Sequence, residues 1–377
     1  MVRHLLGISG GKDSAALAIY MKNKYPSLKI EYYNSDTGCE LEETNILISR
    51  LESYLGEIRK LRAAEGSPEP TPFEHFLKAS GNFLPSPQAR WCTQKMKLAE
   101  MERFVGDLPT ISYVGIRDDE DREGYISTKS NIQSIFPFRR NIWSIDVIHK
   151  IFHKENIASF TEIYLSICPE ELSNSLREIL ETPLTKEFYY SKKMNALLDI
   201  DIKLFNKAVF QFLKGTDYPV GKLDEFPLID NDDTLVKDDI LKILDESDVG
   251  VPAYYNPIEF EVDGKKGTYC RSRSGCYFCF FQQKIEWIWL YEQHPDLYFK
   301  AMSFEKDGYT WMQNESLSDL IKPERIRQVK LDAIKRQERT TKSTPNKLSI
   351  LLCNEDSTEN NCDTSCDSDP FCANCFI

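Results

Sequence analysis

The chain has 377 residues, 41% of them hydrophobic and 28% charged, with a formal net charge of −12. That length suits two domains or one large domain with an insertion, and the acidity argues against indiscriminate nucleic-acid binding by the whole surface. No run approaches the roughly 18 apolar residues that suggest a membrane span. Met1-Val2-Arg3-His4 leads straight into an apolar run, leaving no room for a signal peptide, so a cytoplasmic location is expected. Thiols stay reduced there, and the 11 cysteines point to metal or catalytic sulfur more than to disulfides.

The first predicted strand covers residues 4–8, and a helix follows over 14–24. Between them runs Gly7-Ile8-Ser9-Gly10-Gly11-Lys12-Asp13-Ser14. A strand, a glycine turn and a helix start are what an anion site at a helix N-terminus requires. Gly10 and Gly11 let backbone approach phosphate oxygens, Ser9 and Ser14 add hydroxyls, and Lys12 adds a point charge. The spacing is not the Walker pattern. Further strands are predicted at 29–34, 57–61 and 110–116, and helices at 41–54 and 95–105. One more helix follows Trp143, with Ser144 as its cap and Ile148, Ile151 and Phe152 on one face. The alternation predicts an α/β fold with a doubly wound parallel sheet over residues 1–157, whose ligands sit at the carboxyl ends of the strands.

Residues 158–247 read as a helical insertion. Residues 248–347 return to aromatic-rich, Cys-bearing sequence and a C-terminal helical region, and 348–377 form an acidic Cys-rich tail. Between Lys322 and Lys347 nine Lys/Arg face three acids. A solvated helix face is the plain reading of that stretch, and contact with nucleic-acid phosphate is the second. His149 and His153 read as ordinary helix residues, and Trp287 and Trp289 as packing. Cys270-x5-Cys276-x2-Cys279 places three soft ligands within ten residues. A cubane iron–sulfur cluster and a structural zinc site each take four. The tail cysteines 353, 362, 366, 372 and 375 leave a second metal site, a relay thiol and a disordered tail open.

Four segments join the opening loop: Ser35-Asp36-Thr37-Gly38-Cys39-Glu40-Leu41-Glu42-Glu43-Thr44, Arg90-Trp91-Cys92-Thr93, Gly115-Ile116-Arg117 with its trailing Asp119, Glu120 and Arg122, and the late Gly275-Cys276-Tyr277-Phe278-Cys279. Together they make the chain resemble the PP-loop ATP pyrophosphatases, and within them the PAPS reductase-like family. The resemblance covers residues 1–157 and about 250–320, and implies an adenine nucleotide α-hydrolase-like sheet. It implies ATP and Mg2+ as ligands, with Ser9, Gly10, Gly11, Lys12, Asp13, Ser14, Asp36, Thr37 and Gly38 at the nucleotide. Lys12, Asp13, Arg117 and Arg122 are then the catalytic candidates. It also supplies Cys92 as the fourth ligand of a [4Fe–4S] cluster, with zinc as the alternative; the APS reductases carry Cys-Cys where this chain has Trp91-Cys92.

Within that family the PAPS reductases carry a degraded loop and a Glu-Cys-Gly-Leu-His tail, whereas this loop is intact and that tail is absent. In its intact loop, Arg-Trp-Cys-Thr, Gly-Ile-Arg-x-x-Glu and late cysteines the chain is most similar to the DndC-type enzymes of DNA phosphorothioation. The resemblance implies an iron–sulfur ATP pyrophosphatase that adenylylates an acceptor, such as a nucleic-acid phosphate, for sulfur insertion. A sulfur donor such as a cysteine desulfurase would be its partner. The alternatives are a PAPS or APS reductase releasing sulfite and a non-catalytic nucleotide-sensing subunit.

Overall fold

The computed structural model describes residues 1–122, 124, 126–306 and 308–343. The tail cysteines 353–375 and Lys347 lie outside the described residues. The chain is α/β, and five parallel strands form its main sheet. Strand β1 (Arg3–Gly7) is central, flanked by β2 (Ile30–Asp36) and then β3 (Ile58–Arg62) on one side. On the other side lie β4 (Thr110–Tyr113) and β5 (Ile132–Ile135). The order β3-β2-β1-β4-β5 is compatible with a doubly wound sheet. The chain leaves β1 toward β2 and returns on β1's opposite flank as β4, so the loops after β1 and β4 meet at the carboxyl edge.

Strand side chains alternate between faces, which fixes what covers each face. Leu6, Ile111 and Ile135 join the large core with α1 (Lys12–Lys24) and α2 (Glu42–Leu55). Leu5, Tyr33 and Ile132 turn the other way, onto Met101 and Val105 of α5 (Ala99–Val105). Helix α5 is not a clean start: α4 (Trp91–Thr93) passes through a π turn at Gln94–Leu98 before it. The helix expected over 95–105 is therefore continuous with the Arg-Trp-Cys-Thr segment.

Helix α1 buries Ala15, Ala16, Leu17, Ala18, Ile19 and Met21, because its outer face is covered too. The cover comes from the helical region: α6 (Ile145–Ile151), α7 (Ile157–Ile167), α8 (Glu170–Glu181), α9 (Tyr190–Ile200), α10 (Ile202–Leu213) and α11 (Lys237–Glu246). Helix α11 packs on α1, and Phe160, Leu176, Leu197, Phe205 and Ile240 enter the same core as Leu6. Residues 158–247 thus share the sheet's core. Asn231, 1% exposed, pins them to it: its side-chain amide donates to Pro137 O at 2.8 Å, and its Oδ1 accepts from Tyr20 and Lys24.

A second core gathers α3 (Pro72–Ala79) and Trp91 with the C-terminal region, namely the hairpin β6 (Ile258–Val262) and β7 (Lys265–Tyr269), α12 (Lys284–Gln293), α13 (Pro295–Ser303), α14 (Leu317–Leu320) and α15 (Pro323–Ser343). Trp287 and Trp289 are buried there. No helix among the described residues is long and apolar enough to cross a membrane. Asn231→Ala removes these contacts at once, with the bond from Asp233 N to its Oδ1, and should cost about 1–3 kcal/mol, read as a lower urea midpoint with an unchanged denaturant slope.

Candidate functional site

The turn Ile8–Gly11 leaves the carboxyl end of β1, and Gly11 is the N-cap of α1, with no side chain capping the helix. The turn is held from inside. Ser14 Oγ donates to Gly11 O at 3.2 Å and accepts from Ser9 N at 3.1 Å, and the Ser9 and Ser14 hydroxyls are 3.0 Å apart. Asn34 on β2 donates to Ile8 O at 2.7 Å. Gly10 has φ +77°, and an added Cβ there would stand 2.3 Å from Thr44 Cγ2, so only glycine fits.

Strand β4 stops at Tyr113 and does not continue to 116 as expected. A Cβ at 115 would sit 2.9 Å from Asp13 O, so glycine there lets the loop after β4 lie against the start of α1. That approach delivers Arg117 to Asp13, Nη1 to Oδ1 at 2.7 Å, with both side chains buried. Lys12 Nζ lies 3.5 Å from Asp13 Oδ2 and 5.0 Å from the ring centre of Tyr255. Arg117 is also held by Asp119 at 2.8 Å and Glu120 at 3.0 Å, and Arg122 pairs with Glu120 at 2.6 Å. Burial opposes the charge on Asp13, but Lys12 and Arg117 outweigh it and hold the carboxyl below its ordinary value. The structure thus brings Lys12, Asp13, Arg117 and Arg122 together.

Asp36 ends β2. Its Oδ1 accepts from Gly38 N at 2.8 Å and its Oδ2 pairs with Arg62 at 2.7 Å. Arg62 borders a cavity of about 220 Å3 that is also lined by Ala63, Gly66, Ser67, Thr71 and Pro72. Thr37 turns toward the cysteines instead: its hydroxyl bonds Glu40 Oε1 at 2.5 Å and lies 3.2 Å from Cys276 Sγ. A β-bridge between Glu40 and Cys276, and the Tyr277 N–H donating to Cys39 O at 2.9 Å, tie the two segments along the backbone.

Burial, and then the nearby Cys279 thiol, pushes the Cys92 thiol up to about 11; burial, and then Glu40, pushes Cys276 up to about 12. Cys92 also bears on Cys276, so these three thiols share one neighbourhood. Cys270 is buried on the same loop. Among the described residues no group of three or more His, Cys, Asp or Glu is arranged to hold a metal ion. The donor chemistry of these thiols suits a soft metal.

Residues outside the expected set complete the site. Arg139 donates to the carbonyls of Arg117 (3.2 Å), Glu120 (2.8 Å) and Arg122 (2.7 Å), clasping the loop after β4. Tyr254 donates to Gly10 O at 2.8 Å, and Ser274 covers Gly11. Thr44 and Ser274 lay inside segments singled out in the sequence; Arg139 and Tyr254 carried no local signal. In the basic stretch Lys322, Arg325, Arg327, Lys330 and Lys335 are ion-paired with Asp319, Glu315, Asp263, Glu292 and Asp332, the pattern of a solvated helix face. His149 packs on Tyr190, and His153 is exposed beside Glu155. No family model, curated protein or solved structure matches the chain.

Because the Asp13 value is lowered on folding, its contribution to stability is complete above the ordinary value of 3.8 and is lost as pH falls through the lowered one. Wild-type stability should fall on acidification below about pH 4. Asp13→Asn should cost about 3–5 kcal/mol near neutrality and flatten that acid dependence, measured by denaturation across pH.

Proposed function

We propose that the chain is a PP-loop ATP pyrophosphatase with an adenine nucleotide α-hydrolase-like fold, which adenylylates an acceptor so that sulfur can be inserted. The observation that carries this reading is the meeting of Lys12, Arg117 and Asp13 at the uncapped start of α1, at the carboxyl edge of the central strand. Helix-start N–H groups and two buried cations favour a polyphosphate there. Lys12 would neutralise the β,γ-pyrophosphate, with the Ser9 and Ser14 hydroxyls as further donors. Asp36 and the cavity beside Arg62 would take the nucleoside end.

In the reaction an acceptor oxygen attacks the α-phosphorus, the α–β phosphoanhydride bond breaks, and pyrophosphate leaves. Negative charge grows on the bridging oxygen, and Lys12 and Arg117 stabilise it in a site shielded from water. Asp119 and Glu120 already balance part of the arginine charge, so a bound nucleotide gains most from a cation of its own. Asp13 or Asp36 would hold Mg2+, which would supply Lewis-acid neutralisation of the charge on the leaving pyrophosphate. A sulfur nucleophile would then displace AMP from the activated acceptor. A nucleic-acid phosphate is the proposed acceptor, and a cysteine desulfurase-type protein the proposed sulfur source. Cys92, Cys270, Cys276 and Cys279 are the proposed thiolates for a [4Fe–4S] cluster, or for zinc.

Incubated anaerobically with Mg·ATP, the wild type should release AMP and pyrophosphate. Lys12→Ala should lower that rate by at least about 10²-fold. Release of ADP and phosphate, or no turnover, contradicts the proposal and leaves sulfite release as the assay to run next.

A further inference from the structure

Arg271 stands on the loop between β7 and α12 and is 1% exposed. Its Nη2 donates to Cys276 O at 3.0 Å, bracing its own loop. Its Nε and Nη1 are buried with no hydrogen-bond partner, and no ion pair among the described residues includes it. Glu286, the buried carboxylate bound to the next residue, is fully engaged: Oε1 accepts from Ser272 N and Oγ, and Oε2 from Gln283 N. A buried guanidinium with three N–H bonds unmade is unfavourable unless an acceptor reaches it, and an anion is the best acceptor for it.

The position of this guanidinium is informative. Arg271 N donates to Tyr254 O at 2.9 Å, and Arg271 Cζ lies 5.8 Å from the Tyr254 ring centre. The Tyr254 hydroxyl in turn donates to Gly10 O at 2.8 Å. Ser274, three residues along, covers the other glycine of the turn; its Oγ is 2.5 Å from where a Cβ on Gly11 would stand. One aromatic ring therefore separates an uncompensated cation from the Gly10-Gly11-Lys12 turn.

We infer that Arg271 binds a phosphate-type oxyanion held between this turn and the cysteine-bearing loop, and so couples occupancy of the first to the position of the second. The inference rests on the reading of Ser9–Ser14 as a phosphate loop, and names a further anchor for it from a distant segment. The oxyanion reaches Nε and Nη1 when the turn Arg273–Gly275 lifts from Gly11. Gly275 in that turn has φ +109° and borders open space, with nothing within 4 Å of an added Cβ. A terminal phosphate of the nucleotide and a phosphate of a nucleic-acid acceptor offer the same chemistry.

Thermal unfolding and equilibrium binding of the full chain, with inorganic pyrophosphate and with a short single-stranded oligonucleotide, test this. Wild type, Arg271→Met, Arg271→Lys and Lys12→Ala would be compared. Pyrophosphate should raise the wild-type Tm, since a ligand bound only by the native state stabilises it. Arg271→Met should lose that rise, with affinity weaker by at least about tenfold. Arg271→Lys should fall between the two. Without any anion the Met variant should melt no lower than wild type, because it removes an uncompensated buried charge; a simple loop brace would melt lower. A loss confined to pyrophosphate identifies the nucleotide as the source, and a loss confined to the oligonucleotide identifies the acceptor. Unchanged affinity of both Met and Lys variants for both probes overturns the assignment of Arg271 alone. A wild type that binds neither probe overturns it together with the phosphate-loop reading.

Discussion

The contact between Gly115 and the Asp13 backbone is the constraint on which the site depends. A side chain at 115 would stand 2.9 Å from Asp13 O. Because glycine is there, the loop after β4 lies against the first turn of α1, and Arg117 comes within 2.7 Å of Asp13. Lys12 shares the same carboxylate. Lys12, Arg117 and Asp13 offset one another's burial, and Asp119 and Glu120 add to the balance on Arg117. The helix start, the end of β4 and the charge balance are therefore one arrangement. Arg139 fixes it from behind by gripping three carbonyls of the loop.

A second linkage joins the strand edge to the cysteines. Asp36 ends β2, Thr37 and Glu40 follow it within four residues, and they face in two directions. Asp36 points to Arg62 and the cavity beside it, while Thr37 and Glu40 engage Cys276 by side chain and by backbone bridge. Tyr254 and Ser274 repeat the pattern from the C-terminal region, reaching Gly10 and Gly11. The cysteine-bearing loop is thus packed directly on the glycine turn, and a shift in one must be felt by the other. Half-buried thiols at 92 and 276, pushed up by their surroundings, lie beside a site that is charged around the helix start.

Much of this was legible in the sequence wherever the signal was local. The strand, turn and helix around Ser9–Ser14 are adjacent in the chain, so composition and spacing sufficed. Arg117 and Arg122 were legible for the same reason, at the end of a readable strand. Strand β5 was not: Ile132–Ile135 is four residues long, follows polar residues, and is recognisable only by its pairing with β4. Ser144 takes the N-cap position as expected, yet its side chain makes no capping bond, since α6 is fixed by burial of Val147, Ile148 and Ile151. Arg139, Tyr254 and Arg271 were illegible because their roles come from contacts more than 15 residues away. The shared core of residues 158–247 was hidden likewise, as helical periodicity says which face is buried and not what buries it.

The most direct test of the account is a crystal structure with Mg2+ and an ATP analogue that cannot be cleaved between the α- and β-phosphates. The account predicts the β- and γ-phosphates against Gly10–Ser14, within hydrogen-bond reach of Lys12, and the nucleoside toward Asp36. A nucleotide bound elsewhere, or phosphates pointing away from the start of α1, would contradict it.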